Sequence, residues 1–298
     1  MLSHLPVVYL ATLILVFGWT NPDVAHAQDL RALLNAETEQ VGEVFAPGVI
    51  SSPDSSESSP TLTADGRTLV FTRYTSYGQQ VPYIATRTGD TWTADAWTVE
   101  RAPFAEFVYN LAISPDGSTL LFRTPRTGNS DTEPVSRVFR VNRSNDGTWG
   151  DVEEVEELRD TRAGYFDIQS DGSLYLYARP GEPGDDPDLP RGVYRSVLQE
   201  DGSYGPMDFL GHAVSPAGST TFSPEVFDDG KQMIVTRAGI SAEEEAELGE
   251  KGFYLHRQTD GGWDDGRRLP LPYGWDATLL PGNRLLFVDR GELIVLSL

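Results

Sequence analysis

Apolar segments recur along the chain in pairs, and each pair is joined by a short polar turn that contains glycine. Five such hairpins can be aligned on their turn glycines, which are Gly66, Gly117, Gly172, Gly230 and Gly282. Asp-Gly and related turns favour two-stranded hairpins because glycine accepts the positive φ that these turns need. The repeat length of about 55 residues is typical of a radial or solenoid array of like units.

Each repeat continues beyond its first hairpin. A third apolar segment follows, and in four repeats a second tight turn ends in an aromatic residue, at Trp92, Trp149, Tyr204 and Trp263. The second strand of each repeat is apolar almost throughout, which indicates burial on both faces. Four short antiparallel strands in each unit, each unit packed between two neighbours, predict an all-β fold, a five-bladed β-propeller, in preference to a flat sandwich.

The two ends of the chain predict how the ring closes. The fifth repeat stops at Leu298 after three strands, and residues 41–50 match the pattern of the closing strands of other repeats. We expect this N-terminal strand to join the C-terminal blade, which would remove two open sheet edges. The predicted blades span residues 58–103, 104–160, 161–216, 217–272 and 273–298, the last completed by 41–50. Helix is expected only near residues 29–37 and 241–249.

The first 27 residues have the pattern of a secretory signal. An uncharged apolar run from Leu5 to Trp19 precedes Ala25-His26-Ala27, which is a small-x-small cleavage site. Cleavage there would leave residues 28–298 as one propeller domain, located in the periplasm or outside the cell. An uncleaved anchor is the alternative. We expect no membrane insertion after signal cleavage.

Composition narrows the classes of partner. The formal net charge of −22 disfavours binding to nucleic acid or to anionic membranes. The chain contains no cysteine, so disulfides and thiolate chemistry are excluded. The acidic excess could serve as a hydrated surface, or it could attract calcium or a basic protein. No cofactor is expected, with calcium as the open alternative.

The hairpins TADGRTLVF and SPDGSTLLF resemble the TolB-type, WD40-like (PD40) propeller repeat of exported bacterial proteins. The resemblance extends over residues 41–298. It implies a propeller of the periplasm or cell exterior that acts in binding, and it supplies no set of catalytic residues for this chain.

In a propeller the first strand of each blade lines the central channel. Alignment on the turns predicts three successive ring positions. The first holds Ser59, Asn110, Tyr165, Ser223 and Trp275; the second holds Pro60, Leu111, Phe166, Pro224 and Asp276; the third holds Thr61, Ala112, Asp167, Glu225 and Ala277. The second strands end in one arginine per blade, namely Arg73, Arg123, Arg179, Arg237 and Arg290, with the second and fifth a residue out of register.

Arginine and aromatic side chains at one rim predict a ligand-binding channel mouth. Arginine binds carboxylate or sulfate through a planar pair of donors, and an aromatic face stacks on a sugar ring. The predicted ligand-binding residues are Arg73, Asn110, Arg123, Tyr165, Arg179, Arg237, Trp275 and Asp276. Alternatively, the arginines pair with the acidic segments 181–188 and 241–250 as rim salt bridges of little energetic value.

Three functions remain open at this point. The preferred one is a non-catalytic propeller that binds a small acidic or sugar-like ligand, or a protein partner, at the channel mouth. The second is a glycoside hydrolase, since Asp167, Glu225 and Asp276 lie on three consecutive inner strands and paired carboxyls perform that chemistry. The third is a structural platform for protein interactions.

Overall fold

The computed structural model describes residues 30, 32–74, 79–97, 108–125, 136–159, 161–179, 190–239 and 250–298. The secretory-signal prediction and the predicted helix at 241–249 therefore lie outside the described residues. Within those ranges no helix is long and apolar enough to cross a membrane. Nearly all the regular secondary structure of the described residues is β-strand, and the strands form five small antiparallel sheets.

The strands follow one another from the channel outward in each blade. The first blade comprises β2 (Ser56–Leu62), β3 (Thr68–Tyr74), β4 (Gln80–Thr88) and β5 (Thr91–Ala96). The second comprises β6 (Tyr109–Ile113), β7 (Thr119–Pro125), β8 (Ser136–Arg143) and β9 (Trp149–Glu154), followed by a 3₁₀ turn at Glu156–Leu158. The third comprises β10 (Gly164–Ile168), β11 (Leu174–Ala178), β12 (Gly192–Ser196) and β13 (Asp208–Phe209).

The fourth blade comprises β14 (Ser219–Phe227), β15 (Gln232–Gly239), β16 (Gly252–Thr259) and two short outer strands, β17 (Gly262–Trp263) and β18 (Arg267–Arg268). The fifth comprises β19 (Trp275–Leu280), β20 (Arg284–Asp289), β21 (Glu292–Ser297) and β1 (Glu43–Val44). The inner strands β2, β6, β10, β14 and β19 each contact the next around the centre. The predicted five-bladed propeller is confirmed.

The N-terminal strand closes the ring as predicted. In the antiparallel pairing of β1 with β21, Glu43 lies opposite Val295 and Val44 lies opposite Ile294. The backbone N–H of Phe45 then donates to the carbonyl of Leu293 at 2.8 Å. The C-terminal strand therefore has a partner on both sides, so the fifth blade has four strands, as the first three blades do.

The second strands are buried on both faces, as their composition predicts. The same central position in the five blades is occupied by a fully buried side chain, namely Phe71, Phe122, Leu176, Val235 and Phe287. Apolar clusters join neighbouring blades, and one of them joins blades four and five around Phe253 and Phe287. The helical turn expected near residues 29–37 adds Leu30 and Leu33 to that cluster. Blade-to-blade packing therefore supplies most of the core.

Ring closure can be tested at Gly42, which precedes β1. A Cβ at this position would collide with the carbonyl oxygen of Val295 in β21. We expect Gly42→Val to push β1 away from β21 and to lower the free energy of unfolding by about 2 kcal/mol, as overpacking does. Urea denaturation measures this change. Val41→Thr, at a neighbouring exposed position, is the control, and equal stability of the two variants would contradict the closure.

Candidate functional site

Every inner strand carries a β-bulge at the same height in the channel. The pairing with the second strand shifts between Ser58 and Thr61 in the first blade, and it shifts at the matching place in the other four. One residue in each bulge has φ between 51° and 54°, namely Ser59, Asn110, Tyr165, Ser223 and Asp276. A non-glycine residue in the left-handed region costs roughly 1 kcal/mol, so surrounding contacts must hold the ring of bulges in place.

The bulges correct the predicted alignment of the fifth blade. Its hairpin turn is one residue shorter than those of the first two blades, since Leu279 pairs with Leu285 whereas the equivalent Leu62 pairs with Leu69, and the missing residue precedes the turn glycine. Asp276 therefore occupies the first ring position, which was predicted for Trp275. Ala277 occupies the second, predicted for Asp276, and Thr278 occupies the third, predicted for Ala277.

Side chains at the third ring position tie neighbouring blades together. Thr61 Oγ1 accepts a hydrogen bond from the backbone N–H of Ile113 in the next blade at 2.9 Å. Asp167 Oδ2 likewise accepts from Val226 N–H at 2.7 Å. Glu225 Oε1 accepts from Leu279 N–H at 2.8 Å. The two carboxylates therefore act as clamps between blades, a role that their place in the sequence does not reveal.

A side chain at the third ring position also joins the fifth blade to the first, but here the side chain is the hydrogen-bond donor. Thr278 Oγ1 donates to the carbonyl of Pro60 at 2.7 Å. Two ring positions higher, Asp276 Oδ2 accepts from the N–H of Ser59 at 2.8 Å, and its Oδ1 accepts from Ser223 Oγ at 2.6 Å. Asp276 thus connects the first and fourth blades to its own, and it does not share a ring position with Asp167 and Glu225.

Burial raises the pKa of all three carboxyls. The pKa of Asp167 rises to about 7, although hydrogen bonds from Val226 and Gln169 oppose the shift. The pKa of Glu225 rises well above its ordinary value, first because of burial and then because of the negative charge of Asp167. Burial raises the pKa of Asp276 to about 6, against hydrogen bonds from Ser223 and Ser59. The pair formed by Asp167 and Glu225 therefore tends to retain a proton near neutral pH.

The ring of bulges narrows the channel. Above it lies a cavity of about 290 Å³, the upper cup, which includes Ser59, Asn110, Tyr165 and Asp276. The space at the bulges themselves, the neck, measures about 20 Å³, little more than one water molecule needs. Below it lies a cavity of about 530 Å³, the lower vestibule, which includes Asp167 and Glu225. Of the predicted catalytic carboxyls, Glu225 and Asp276 both line the neck, Asp276 extends to the upper cup, and Asp167 lines only the lower vestibule.

Five of the eight predicted ligand-binding residues line the upper cup, namely Asn110, Arg123, Tyr165, Trp275 and Asp276. The other five lining residues were not predicted to bind ligand, although Ser59 was placed at the first ring position; they are Ser58, Ser59, Tyr74, Gln80 and Tyr109. Two of them could have been found from the sequence, because Tyr109 and Tyr74 are the chain neighbours of the predicted site residues Asn110 and Arg73. The guanidinium of Arg123 lies 5.1 Å from the ring centroid of Tyr109.

Two other predicted arginines are occupied by structural contacts. Arg73 Nε bonds to Glu57 Oε1 at 3.0 Å, and Arg73 Nη2 donates to the carbonyl of Ile50 at 2.6 Å. Arg237 is only 6% exposed, donates to the carbonyl of Val214 at 3.1 Å and stacks 4.1 Å from the ring centroid of Tyr254. Neither lines the upper cup.

The arginines are also less regular than the alignment predicted. In the sheet registers Arg73 and Arg237 are equivalent, Arg123 lies one residue earlier, and both Arg179 and Arg290 lie one residue later. The third arginine is therefore out of register, in addition to the second and fifth. The side chain of Arg290 is 89% exposed and pairs with Asp289. Pairing of the arginines with segments 181–188 and 241–249 lies outside the described residues.

The described parts of the chain contain no group of three or more His, Cys, Asp or Glu side chains that could hold a metal ion. The calcium alternative therefore gains no support from them. His256 is fully buried, and its ring nitrogens lie 2.8 Å from the Asp264 carbonyl and 3.3 Å from Arg237 Nη2. Burial lowers the pKa of His256 to about 4, so it is neutral at physiological pH.

Known structures share this propeller fold. A glycoside hydrolase aligns with a TM-score of 0.57 at 10% identity, over 90% of this chain and 93% of that one. The putative TolB of Agrobacterium tumefaciens aligns at 0.50 and 14% identity, over 78% and 69%. TolB of Acinetobacter baumannii aligns at 0.48 and 14%, over 82% of this chain and 52% of that one, so this chain spans about half of its length.

No protein-family model matches the chain, and no curated protein matches it in sequence. Identities this low show the fold alone. The resemblance to TolB-type propellers is confirmed at that level, whereas the PD40 repeat assignment stays a prediction. The chain is a five-bladed β-propeller, and its fold is one that proteins called TolB and proteins called glycoside hydrolases both have.

The raised pKa of Asp167 predicts a pH-dependent stability. Its folded-state pKa of about 7 exceeds the ordinary 3.8, so the folded protein holds a proton that the unfolded chain releases. The stability from this proton is complete below about pH 3.8 and is lost as the pH rises through about 7. We expect Asp167→Asn to keep an acceptor for Val226 N–H. In this variant the free energy of unfolding should fall less with rising pH, by a few kcal/mol, since one pKa unit corresponds to about 1.4 kcal/mol.

Urea denaturation between pH 4 and pH 8 measures this effect. Asp208→Asn, at an exposed position in β13, is the matched control and should follow the wild-type curve. Identical curves for wild type and Asp167→Asn would contradict the buried, protonated carboxyl.

Proposed function

We propose that this protein is a non-catalytic propeller that binds a small acidic or sugar-like ligand in its upper cup, in the periplasm or outside the cell. The observation that carries the proposal is the convergence of Arg123, Tyr165, Trp275 and Asp276 on one open cavity of about 290 Å³. These four side chains come from three different blades, so only the closed ring brings them together.

The chemistry of the cup suits such a ligand. Arg123 can donate paired hydrogen bonds to a carboxylate. Trp275 and Tyr165 provide aromatic faces for the apolar side of a sugar ring, a contact worth about 1 kcal/mol. Asn110 and Gln80 offer amide groups for the ligand's own hydroxyl groups. The hydroxyls of Ser58 and Ser59 are bonded to Thr72 and Asp276 and help to hold the wall of the cup. A few placed polar groups beside aromatic walls are typical of small-molecule sites.

The carboxylates favour binding over hydrolysis. A glycosidase needs two carboxyls on either side of one bond. Here Asp167 Oδ2 and Glu225 Oε1 each accept a backbone hydrogen bond from the following blade, and both face the lower vestibule. Asp276 lines the upper cup and is bonded by Ser59 and Ser223. Glu225 and Asp276 meet only at the neck, whose space of about 20 Å³ is too small for a sugar ring. An open cup that contains arginine and aromatic side chains likewise favours a small ligand over a protein platform.

A binding screen tests this proposal. Glucuronate, galacturonate, the matching neutral sugars and succinate would be screened by thermal shift, and the strongest ligand measured by calorimetry. We expect Arg123→Gln and Trp275→Ala each to weaken binding at least tenfold, or about 1.4 kcal/mol, because they remove the anion donor and the stacking face.

Matched controls are available on the same propeller. Arg290→Gln removes an exposed arginine that does not line the cup, and Trp263→Ala removes an aromatic side chain from the outer hairpin of blade four. Both should bind as the wild type does. The proposal is wrong if no member of the panel binds, or if the cup variants bind as tightly as the controls.

A further inference from the structure

A row of arginines crosses the upper end of the third blade. Ala178 in β11 pairs with Gly192 in β12, so Arg179 and Arg191, the next residues outward, leave the two strands side by side. The backbone N–H of Arg179 donates to the carbonyl of Thr161 at 3.0 Å, which brings Arg162 alongside Arg179. Three neighbouring chain segments thus each present an arginine at one edge of one sheet.

The second blade contributes a fourth arginine. Arg123 Nη1 would lie 3.4 Å from a Cβ placed on Gly164, and Gly164 lies opposite Tyr177 in the sheet. The same charges act on Tyr177. Burial raises the pKa of its hydroxyl, while the positive charges of Arg191, Arg179, Arg123 and Arg162 all act to lower it. All four positive charges therefore act on one phenol.

Within the described residues, compensating negative charge is missing beside three of these arginines. No described carboxylate lies within 4.0 Å of the guanidinium groups of Arg162, Arg179 or Arg191. All three side chains are half-buried, so solvent screens their repulsion incompletely. Like charges at adjacent cross-strand positions destabilise a sheet. A bound anion would relieve that repulsion. The local excess of positive charge contrasts with the net charge of −22 of the whole protein.

We propose that Arg162, Arg179 and Arg191, together with Arg123, form an oxyanion site for a sulfate, phosphate or carboxylate group. Guanidinium groups bind such anions through charge-assisted hydrogen bonds with matched geometry. The site adjoins the upper cup, since Arg123 lines the cup and the rings of Tyr165 and Tyr177 lie 6.2 Å apart. That the anion belongs to the ligand of the cup rests on the proposed function; the oxyanion site itself does not.

Inorganic sulfate is a suitable probe. Wild-type protein would be titrated with sodium sulfate by calorimetry, with sodium chloride added to hold ionic strength constant. We expect sulfate to bind the wild type and the affinity to fall at least tenfold in the double variant Arg179→Gln/Arg191→Gln. Arg267→Gln, at an exposed strand position in blade four, removes a charge elsewhere and should leave the affinity unchanged.

Melting temperatures without sulfate provide a second readout. Because the arginines repel one another when no anion is bound, Arg191→Gln should melt at a higher temperature than the wild type in low-salt buffer. Segment 180–189 connects Arg179 to Arg191 and contains Glu182, Asp185, Asp186 and Asp188. If its carboxylates neutralise the arginines, Arg191→Gln will melt at a lower temperature and the wild type will not bind sulfate. That pair of results would overturn the oxyanion site.

The outcomes separate this inference from the proposed function. Arg179 and Arg191 do not line the cup, so sulfate binding can succeed while the sugar and acid panel fails. That combination would leave the oxyanion site in place and refute the cup. Binding of a panel ligand that is unaffected by Arg123→Gln, together with no sulfate binding, would refute both.

Discussion

The hydrogen bonds between neighbouring inner strands are the interaction on which the rest of this structure depends. Propeller blades pack face to face through apolar side chains, which give stability but little directional control. At the bulges, Thr61, Asp167, Glu225 and Asp276 each accept a backbone hydrogen bond from the adjacent blade. These bonds offset the strain of five left-handed residues and fix how each blade meets the next around the channel.

This use of polar side chains divides the channel by function. Asp167 and Glu225, two of the three carboxyls that suggested catalysis, hold blades together at the neck and below it, and burial raises their pKa values. Above the neck the bulge residues Asn110 and Tyr165 open into a cup with Arg123 and Trp275. The same ring of residues therefore holds the blades together and forms part of the candidate binding site. The structural contacts lie mainly on its lower side, and the candidate binding contacts lie on its upper side.

The repeating hairpins made the fold predictable. Glycine turns and doubly apolar second strands are local signals, and the missing fourth strand pointed to β1 as its replacement. The candidate site was harder to predict from the sequence. The fifth turn is one residue shorter, so alignment on Gly282 assigned Trp275 to the position of Asp276, and a bulge leaves no pattern that the alignment could detect. Arg73 and Arg237 matched the expected rim, yet carbonyls of preceding segments bind both.

The residues that completed the cup and the arginine row lie on different blades or beyond strand ends. Their proximity follows from the closed ring and from register, which periodicity alone does not supply. A crystal structure of the protein with the strongest ligand of the sugar and acid panel tests the division of the channel most directly. We predict density above the neck, in contact with Arg123 and Trp275. Ligand density in the lower vestibule against Asp167 and Glu225 would contradict the account.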